Sequence, residues 1–253
     1  MTWINSMLIV FSMYSRLPVR GVEWNDKNMK YSLGFFPLVG VVIGAFLTLW
    51  WWISEKLGFG IYFRSAIYCV IPVMITGGIH IDGFLDTVDA LSSYQPKEKK
   101  LEIMKDPHTG AFAIIGCVMY YLVYFGALTE IKNLRISLII SIGFVLSRAF
   151  SGLSLVLFKS AKKEGLLYTF SSSAHRKITG IMLVSIILLC VAAMIFLNAV
   201  TGVILLVAAV LVFIYYRQMS YKQFGGITGD LAGFFLQVCE LVILITTIVI
   251  DKL

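Results

Sequence analysis

Residues 178–216 read ITGIMLVSIILLCVAAMIFLNAVTGVILLVAAVLVFIYY, a run without a single charged side chain. A helix needs about 20 apolar residues to cross the hydrocarbon core of a bilayer. The run is therefore long enough for two spans, Ile178–Leu197 and Asn198–Tyr216. Because lipid offers the backbone no hydrogen-bond partners, both spans are expected to be helical.

Five more stretches have a similar length and composition. No internal repeat, low-complexity tract or long linker separates them, so residues 1–253 are predicted to form one membrane-embedded domain. The predicted fold is all-α, a polytopic integral membrane protein with about seven transmembrane helices. The five further spans are Gly34–Ser54, Ile61–Gly78, Thr109–Thr129, Ile136–Phe158 and Leu231–Ile250.

The composition excludes an ordinary soluble domain. Hydrophobic residues make up 59% of the chain and charged residues 14%, and the mean hydropathy is +0.88. Soluble domains average about 25% charged residues. A soluble fold of this size would leave much of its apolar surface in water, whereas a bilayer accepts that surface without cost.

The N-terminal segment Met1–Ser15 is apolar and uncharged, and it lacks the basic start and small-residue cleavage site of a signal peptide. It is predicted to be a short interfacial or half-inserted helix, with an eighth span as the alternative. The cysteines at positions 69, 117, 190 and 239 fall singly within predicted spans. They are expected to be small buried hydrophobic residues.

The basic residues predict the orientation, because Lys and Arg prefer cytoplasmic loops. Fifteen of the 21 Lys and Arg residues lie in segments that would share one side, five lie on the other side, and Arg148 lies inside a span. The N-terminus and the chemically rich loops are therefore expected in the cytoplasm, at the cell membrane. This topology explains the net charge of +7, so no nucleic-acid partner is expected.

The acidic residues are concentrated after the second predicted span, where residues 76–90 read TGGIHIDGFLDTVDA. Asp82, Asp86 and Asp89 recur at helical spacing and share one helix face. Like charges on one face repel each other unless a cation lies between them, and Mg²⁺ binds carboxylates while keeping positions open for phosphate. The segment predicts a Mg²⁺–diphosphate site at the membrane surface, with a solvated acidic face as the alternative.

Three neighbouring residues are further candidates. His80 lies two positions before Asp82 and could orient that carboxylate or act as a base. Asp106, before Pro107 and the third span, is expected either to cap that helix or to be a fourth carboxylate of the site. His108 is expected to be a surface residue.

The segment GGITGD, residues 225–230, opens the last predicted span. Glycines ahead of a helix N-terminus let backbone N–H groups approach a phosphate. Gly225, Gly226, Thr228 and Gly229 are therefore predicted to bind substrate, with a plain turn as the alternative. Asp230 would repel a phosphate unless a metal lay between them, which makes it another candidate metal ligand.

A carboxylate inside an apolar span is costly and indicates a function or a partner. Glu240 lies in the last span, and Arg148 is its obvious intramembrane partner. Arg16, after the N-terminal helix, is expected either to bind a phosphate or to anchor the chain at the interface. The loop with Lys162, Lys163 and the serines at 171–173 could hold an anionic substrate or only set the orientation.

Together these segments resemble the cobalamin synthase family, the adenosylcobinamide-GDP ribazoletransferases. The resemblance covers nearly the whole chain, and the run at residues 76–90 is its most specific part. The other matching segments are SRLPV at 15–19, FPLVG at 36–40, EIMKD at 102–106, KEGL at 163–166, and GGITGD at 225–230 with Glu240.

The resemblance implies a Mg²⁺-dependent, membrane-embedded enzyme. Members of the family join adenosylcobinamide-GDP to α-ribazole or α-ribazole 5′-phosphate and release GMP, which completes the nucleotide loop of vitamin B12. Small-molecule substrates and the lipid bilayer are thus the expected partners. A homo-oligomer and association with other cobalamin-pathway enzymes are further expectations.

This sequence departs from the family pattern at three places. Pro107-His108 stands where Ser-Arg is commoner, Leu231 replaces a usual threonine, and Gln237 falls where a carboxylate is often found. With His108 in place of the commoner arginine, this sequence lacks a candidate phosphate-binding arginine there, and Lys105 is expected to substitute for it.

Two rival interpretations concern other membrane proteins. CDP-alcohol phosphotransferases and prenyltransferases also use aspartate clusters around Mg²⁺, but the CDP-alcohol spacing and a second strong aspartate motif are absent here. A transporter would place charged groups in mid-membrane. Here the acidic residues gather at one surface, which favours an interfacial enzyme.

Overall fold

The computed structural model describes residues 2–19, 21–162 and 166–253. Their regular structure is helical, and the helices are numbered in chain order. They are α1 (Thr2–Tyr14), α2 (Asp26–Met29), α3 (Ser32–Phe35), α4 (Pro37–Leu57), α5 (Ile61–Thr76), α6 (Ile79–Ser92), α7 (Lys97–Ile103), α8 (Ala111–Leu128), α9 (Leu134–Leu157), α10 (Leu166–Ser173), α11 (Arg176–Leu197), α12 (Ala199–Phe224) and α13 (Gly229–Lys252).

Within the described ranges, six helices are long and apolar enough to cross a membrane, namely α4, α8, α9, α11, α12 and α13. The count rises to seven if the bent pair α5 and α6 forms one span. The predicted polytopic helical fold is therefore confirmed. The second span was predicted at Ile61–Gly78, but the apolar segment continues into α6, and the chain turns by 97° between α5 and α6.

Two glycines cause that turn. Gly77 and Gly78 both have left-handed backbone angles, with φ of 70° and 83°, a conformation that a residue with a Cβ atom adopts only at a cost. Gly77 ends α5, and Gly78 precedes the first residue of α6. The acidic helix α6 thus leaves the direction of α5 and packs against α8 and α13.

The α11–α12 hairpin forms as the uncharged run predicts. The Asn198 N–H donates to the Met194 carbonyl at 2.9 Å and closes α11. The Asn198 side chain accepts from the Thr201 N–H at 2.9 Å and caps α12. Helix α12 continues to Phe224, two turns beyond the predicted end at Tyr216, because a helix need not stop where its residues become polar.

Helix α9 is the central span and packs against α4, α11 and α13. Helices α8, α11 and α12 expose many apolar side chains, such as Leu122, Leu189 and Val207, as expected for surfaces in contact with lipid. The cysteine prediction holds for Cys190 and Cys239, which are buried, whereas the cysteines of α5 and α8 are only half-buried.

Helix α1 is short, since 13 residues extend only about 20 Å and a bilayer core is about 30 Å thick. It packs onto the bundle rather than lying free. Ile9 and Val10 are fully buried, and the Ser6 hydroxyl donates to the Asn28 carbonyl at 2.5 Å.

The fold gathers the basic loops at one end of the bundle. Ser173 bonds to Asp26 there, and the buried Lys100 ammonium bonds to Gln223 at 2.5 Å. At the opposite end Arg135 pairs with Asp251 at 3.3 Å. Five residues used in the sequence analysis lie outside the described residues, namely Met1, Arg20, Lys163, Glu164 and Gly165.

Candidate active site

The backbones of α6 and α13 touch because glycines face each other across the contact. A Cβ atom on Gly83 would lie 2.7 Å from the Asp230 Cα, and one on Gly233 would lie 2.8 Å from the His80 carbonyl oxygen. Next to them Phe84 stacks on Phe234, with 5.6 Å between ring centroids. This close approach places the acidic face of α6 beside Asp230.

Four carboxylates share this region. The carboxylate of Asp86 is close enough to interact electrostatically with Asp82, Asp230 and Asp89. Asp82 is exposed, and the other three are half-buried. In the described part of the chain no three acidic, histidine or cysteine side chains already stand as a metal-binding group.

Asp89 has a second neighbour that the sequence did not indicate. Its carboxylate lies against Gly110, the N-cap of α8. The N-terminus of a helix carries a partial positive charge that favours an anion. Asp89 therefore interacts with the N-terminus of α8 and also lies on the acidic face of α6, as predicted.

A cavity of about 310 Å³ opens beside the acidic residues, between α1, α3, α6, α9 and α13. Its polar lining comes from Asp82, Asp230, Ser160 and Lys162, and His80 and Tyr14 also line it. The remaining lining is largely apolar and includes Met13, Leu33, Phe36, Leu155 and Leu236. The cavity can hold a molecule with an apolar body and a polar end.

The loop after α9 brings a lysine to this cavity. The Ala161 N–H donates to the Ile227 carbonyl at 2.9 Å, and the Ile227 N–H donates to the Lys159 carbonyl at 2.9 Å. Lys162 therefore lies near Asp230. Burial and the positive charge of Lys105 lower the pKa of Lys162, against the opposing effect of Asp230.

The glycine-rich segment before α13 has structural roles. Gly225 ends α12 with φ of 80°, and its N–H donates to the Tyr221 carbonyl at 3.3 Å, while the Gly226 N–H donates to the Ser220 carbonyl at 3.3 Å. The Thr228 hydroxyl caps α13 by accepting from the Leu231 N–H at 3.2 Å.

The prediction that Gly225 and Gly226 offer free N–H groups to a phosphate was therefore wrong in its physical basis. Both N–H groups already have backbone partners. Gly226 is needed because its neighbours are too close for a side chain, since an added Cβ atom would lie 2.5 Å from the Lys159 carbonyl oxygen. Gly229 begins α13 and is exposed, so the start of that helix remains available to an anion.

Asp106 does not cap α8, whose N-cap is Gly110 without a side-chain bond. Its carboxylate instead accepts from the His108 N–H at 2.9 Å and from the His108 Nδ1 at 2.7 Å. These hydrogen bonds hold the pKa of Asp106 below its usual value. The capping prediction fails because four residues separate Asp106 from Ala111, the first residue of α8. His108 is exposed as predicted.

Arg16 lies at the bend between α5 and α6. Its N–H donates to the Ile75 carbonyl at 2.8 Å, and its side chain passes close over Gly77. Arg16 is exposed and lies next to the start of α6. It takes part in none of the ion pairs among the described residues.

His80 is 5% exposed and lies between two aromatic rings. Its ring centroid is 6.1 Å from that of Tyr14 and 5.8 Å from that of Phe36. Its Nε2 atom is buried without a hydrogen-bond partner. The imidazole is thus held firmly at the cavity wall.

The predicted intramembrane pair forms. Arg148 Nη1 lies 2.6 Å from Glu240 Oε1, and the Ser147 hydroxyl bonds to the same oxygen at 3.1 Å. Both charged side chains are almost fully buried. The pair lies behind His80 and lines a second, smaller cavity.

Sequence reasoning left most of the cavity lining out of the site. Lys162 was noted only as part of a basic loop, and Tyr14 and Ser160 were not singled out. The basic loop itself was a usable signal. Tyr14 gave none, because one tyrosine in an apolar helix looks the same whether it faces lipid or a ligand.

The fold and this site define a class of protein: a polytopic helical membrane enzyme whose acidic site opens at one end of the bundle. The chain belongs to the cobalamin-5-phosphate synthase family, whose model matches residues 6–248.

Named relatives agree with this membership. The chain is 47% identical over 241 residues to an adenosylcobinamide-GDP ribazoletransferase of Lachnoclostridium phytofermentans, covering 95% of this chain and 92% of that one. It is 32% identical to one of Clostridium botulinum, covering 93% and 94%, and 31% identical to one of Treponema denticola, covering 98% and 99%. No solved structure matches the chain.

Proposed function

We propose that this chain is an adenosylcobinamide-GDP ribazoletransferase. It joins adenosylcobinamide-GDP to α-ribazole or α-ribazole 5′-phosphate, releases GMP and completes the nucleotide loop of cobalamin. The observation that carries the proposal is the acidic face of α6 beside Asp230, at the cavity that also contains Lys162. Family membership over almost the whole chain supports it.

The size of the cavity is our reason for proposing different places for the two substrates. About 310 Å³ is at the lower end of the range for small-molecule sites. A nucleoside with a flat apolar base fits such a space, whereas a corrinoid macrocycle does not. We therefore place the ribazole base against the apolar wall and the corrinoid at the open end, near Asp82.

The carboxylates suit Mg²⁺, although no described group holds a metal as it stands. Asp82, Asp86 and Asp230 offer hard oxygen ligands, and their mutual repulsion is relieved by a cation. Asp89 is the fourth candidate ligand. When bound, Mg²⁺ would neutralise the diphosphate and stabilise the leaving phosphate.

The chain's own groups position the reaction. The ribazole hydroxyl attacks the phosphorus nearest cobinamide, the bond to the bridging oxygen breaks, and GMP leaves with that oxygen. Lys162, Lys105 and Arg16 balance the phosphate charge, which is how such transfers are mainly catalysed. Asp230, Asp106 or His80 accepts the hydroxyl proton.

The location of the reaction is part of the proposal. The basic loops that surround the site carry most of the Lys and Arg residues, and such loops stay in the cytoplasm. We infer that the enzyme lies in the cytoplasmic membrane with its site facing the cytoplasm. A homo-oligomer and association with other enzymes of the pathway are also part of the proposal.

The test is an end-point assay with purified protein in detergent. Adenosylcobinamide-GDP, α-ribazole 5′-phosphate and Mg²⁺ are mixed with and without EDTA, and corrinoid product and GMP are separated by HPLC. We expect equal amounts of both products, none with EDTA, and a loss of at least about 100-fold for Asp82→Asn. The control is Asp251→Asn, which alters a carboxylate at the opposite end.

Two outcomes would contradict the proposal. Folded protein that forms no product with either ribazole form would remove the function, and CDP-alcohols and prenyl diphosphates would be tried next. Normal turnover by Asp82→Asn would keep the function but displace the site from α6.

A further inference from the structure

A small cavity lies between α5, α6, α8, α9 and α13, and it shares His80 with the main cavity. Its lining includes His80, Arg148 and Glu240 together with Gln237 and three tyrosines of α8. His80 lines both cavities, so its ring separates the substrate space from the intramembrane ion pair.

Two buried nitrogen atoms of residues that line this cavity lack partners. His80 Nε2 and Arg148 Nε both have no hydrogen bond among the described residues. Arg148 uses Nη1 for the Phe144 carbonyl at 2.9 Å and for Glu240 at 2.6 Å, which leaves Nε free. Unpaired buried polar atoms are costly and call for a partner, and more so where lipid surrounds the protein.

The cavity measures about 20 Å³, and one water molecule needs roughly 10–15 Å³ and two or more polar neighbours. We propose that a single buried water molecule occupies this cavity and bridges Arg148 Nε to His80 Nε2. It couples the Arg148–Glu240 pair to the imidazole at the substrate cavity.

The chemistry of the three groups fixes the direction of both hydrogen bonds. Arginine is only a donor, so the water accepts from Arg148 Nε–H and has its own protons left to donate. It then donates to His80 Nε2, which must carry a lone pair. The proton of the neutral imidazole therefore lies on Nδ1.

This arrangement assigns roles to both sides of the cavity. Arg148 and Glu240 are positioning residues, since they act on the reaction only through the orientation and tautomer of His80. His80 itself offers a hydrogen-bond donor at Nδ1 instead of a basic nitrogen. The proton acceptor of the reaction is then a carboxylate, Asp230 or Asp106, and not His80.

The direct test is nitrogen-detected NMR of the whole protein in lipid nanodiscs, labelled with ¹⁵N-histidine. The chain has three histidines, and the loss of one signal set in His80→Gln assigns the buried residue. We expect His80 to show one fixed form with Nδ1 protonated. A fixed form with Nε2 protonated, or a mixture of both forms, would overturn the proposal.

A variant that fills the cavity tests the role of the water molecule while Arg148 and Glu240 stay in place. Cys69 lines the cavity and Cys117 does not, so Cys69→Val displaces the water whereas Cys117→Val is the matched control. We expect Cys69→Val to lose the fixed Nδ1 form while Cys117→Val keeps it, with the signals of His108 and His175 unchanged in both. The same His80 spectrum in both variants would refute the water bridge.

Discussion

At the scale of single residues, the buried pair of Arg148 and Glu240 is a point where the bundle is vulnerable. Removing one partner leaves an uncompensated charge in the protein interior, which costs about 3–5 kcal/mol. We expect Arg148→Met to lower the free energy of unfolding by that amount, and Arg148→Met with Glu240→Gln to recover much of it. Denaturant unfolding in mixed micelles measures both.

The control for the pair is Arg135→Met. Arg135 also pairs with a carboxylate, that of Asp251, but both side chains are partly exposed, and such pairs contribute at most about 1 kcal/mol. If Arg148→Met and Arg135→Met lower the free energy of unfolding by the same amount, the buried pair of Arg148 and Glu240 does not stabilise the bundle as expected.

Lys162 is a second residue whose role can be isolated. A charge-assisted hydrogen bond contributes about 1.5–3 kcal/mol, so we expect Lys162→Gln to raise the KM for an anionic substrate about 10- to 100-fold with unchanged folding. Steady-state kinetics with each substrate varied in turn measures it. Lys97→Gln removes an exposed lysine at the start of α7 and should leave KM unchanged; an equal effect would indicate a general charge effect.

At the scale of elements, the site depends on how closely the loop after α9 approaches the segment before α13. Because a Cβ on Gly226 would collide with the backbone at Lys159 and Ala161, Gly226→Ala must push the two segments apart. We expect a loss of about 1–3 kcal/mol in stability and a fall in kcat/KM as Lys162 moves away from Asp230.

The matched substitution is Gly126→Ala in α8, where a Cβ meets open space. It should leave kcat/KM unchanged and, as an alanine in a helix, preserve or raise stability. Thermal unfolding and steady-state kinetics measure both variants. If Gly226→Ala kept the same stability and kcat/KM as Gly126→Ala, the close approach at Gly226 would not be needed for the site.

At the scale of the whole molecule, the basic loops lie at one end of the bundle and predict the side of the membrane that holds the site. In a background without the four native cysteines, we expect Lys132→Cys to react with a membrane-impermeant maleimide in intact cells. Gln95→Cys should react only after the membrane is permeabilised. Both positions are exposed, so accessibility does not limit the reaction.

The opposite labelling pattern would place the site outside the cytoplasm. Labelling of both positions in intact cells would show that the bundle does not separate the two ends as described. A cysteine-less protein that no longer forms corrinoid product would be replaced by variants that restore one native cysteine at a time.

The sequence by itself determined the membrane-spanning helices, the grouping of the basic loops and the acidic face of α6. Each of these follows from local rules: apolar length sets a span, charge sets its orientation, and helical spacing puts Asp82 and Asp86 on one face. The partnership of Arg148 with Glu240 was also predictable, because an isolated charge in lipid requires a counter-ion.

Only the tertiary structure decided how the elements meet. The turn at Gly77 and Gly78, the contact between α6 and α13 and the position of Lys162 all depend on residues far apart in the chain. The same applies to the glycines at 225 and 226, whose N–H groups bond to backbone carbonyls of α12. Local sequence rules specify which groups a residue offers, but which partner takes each group depends on packing across the whole bundle.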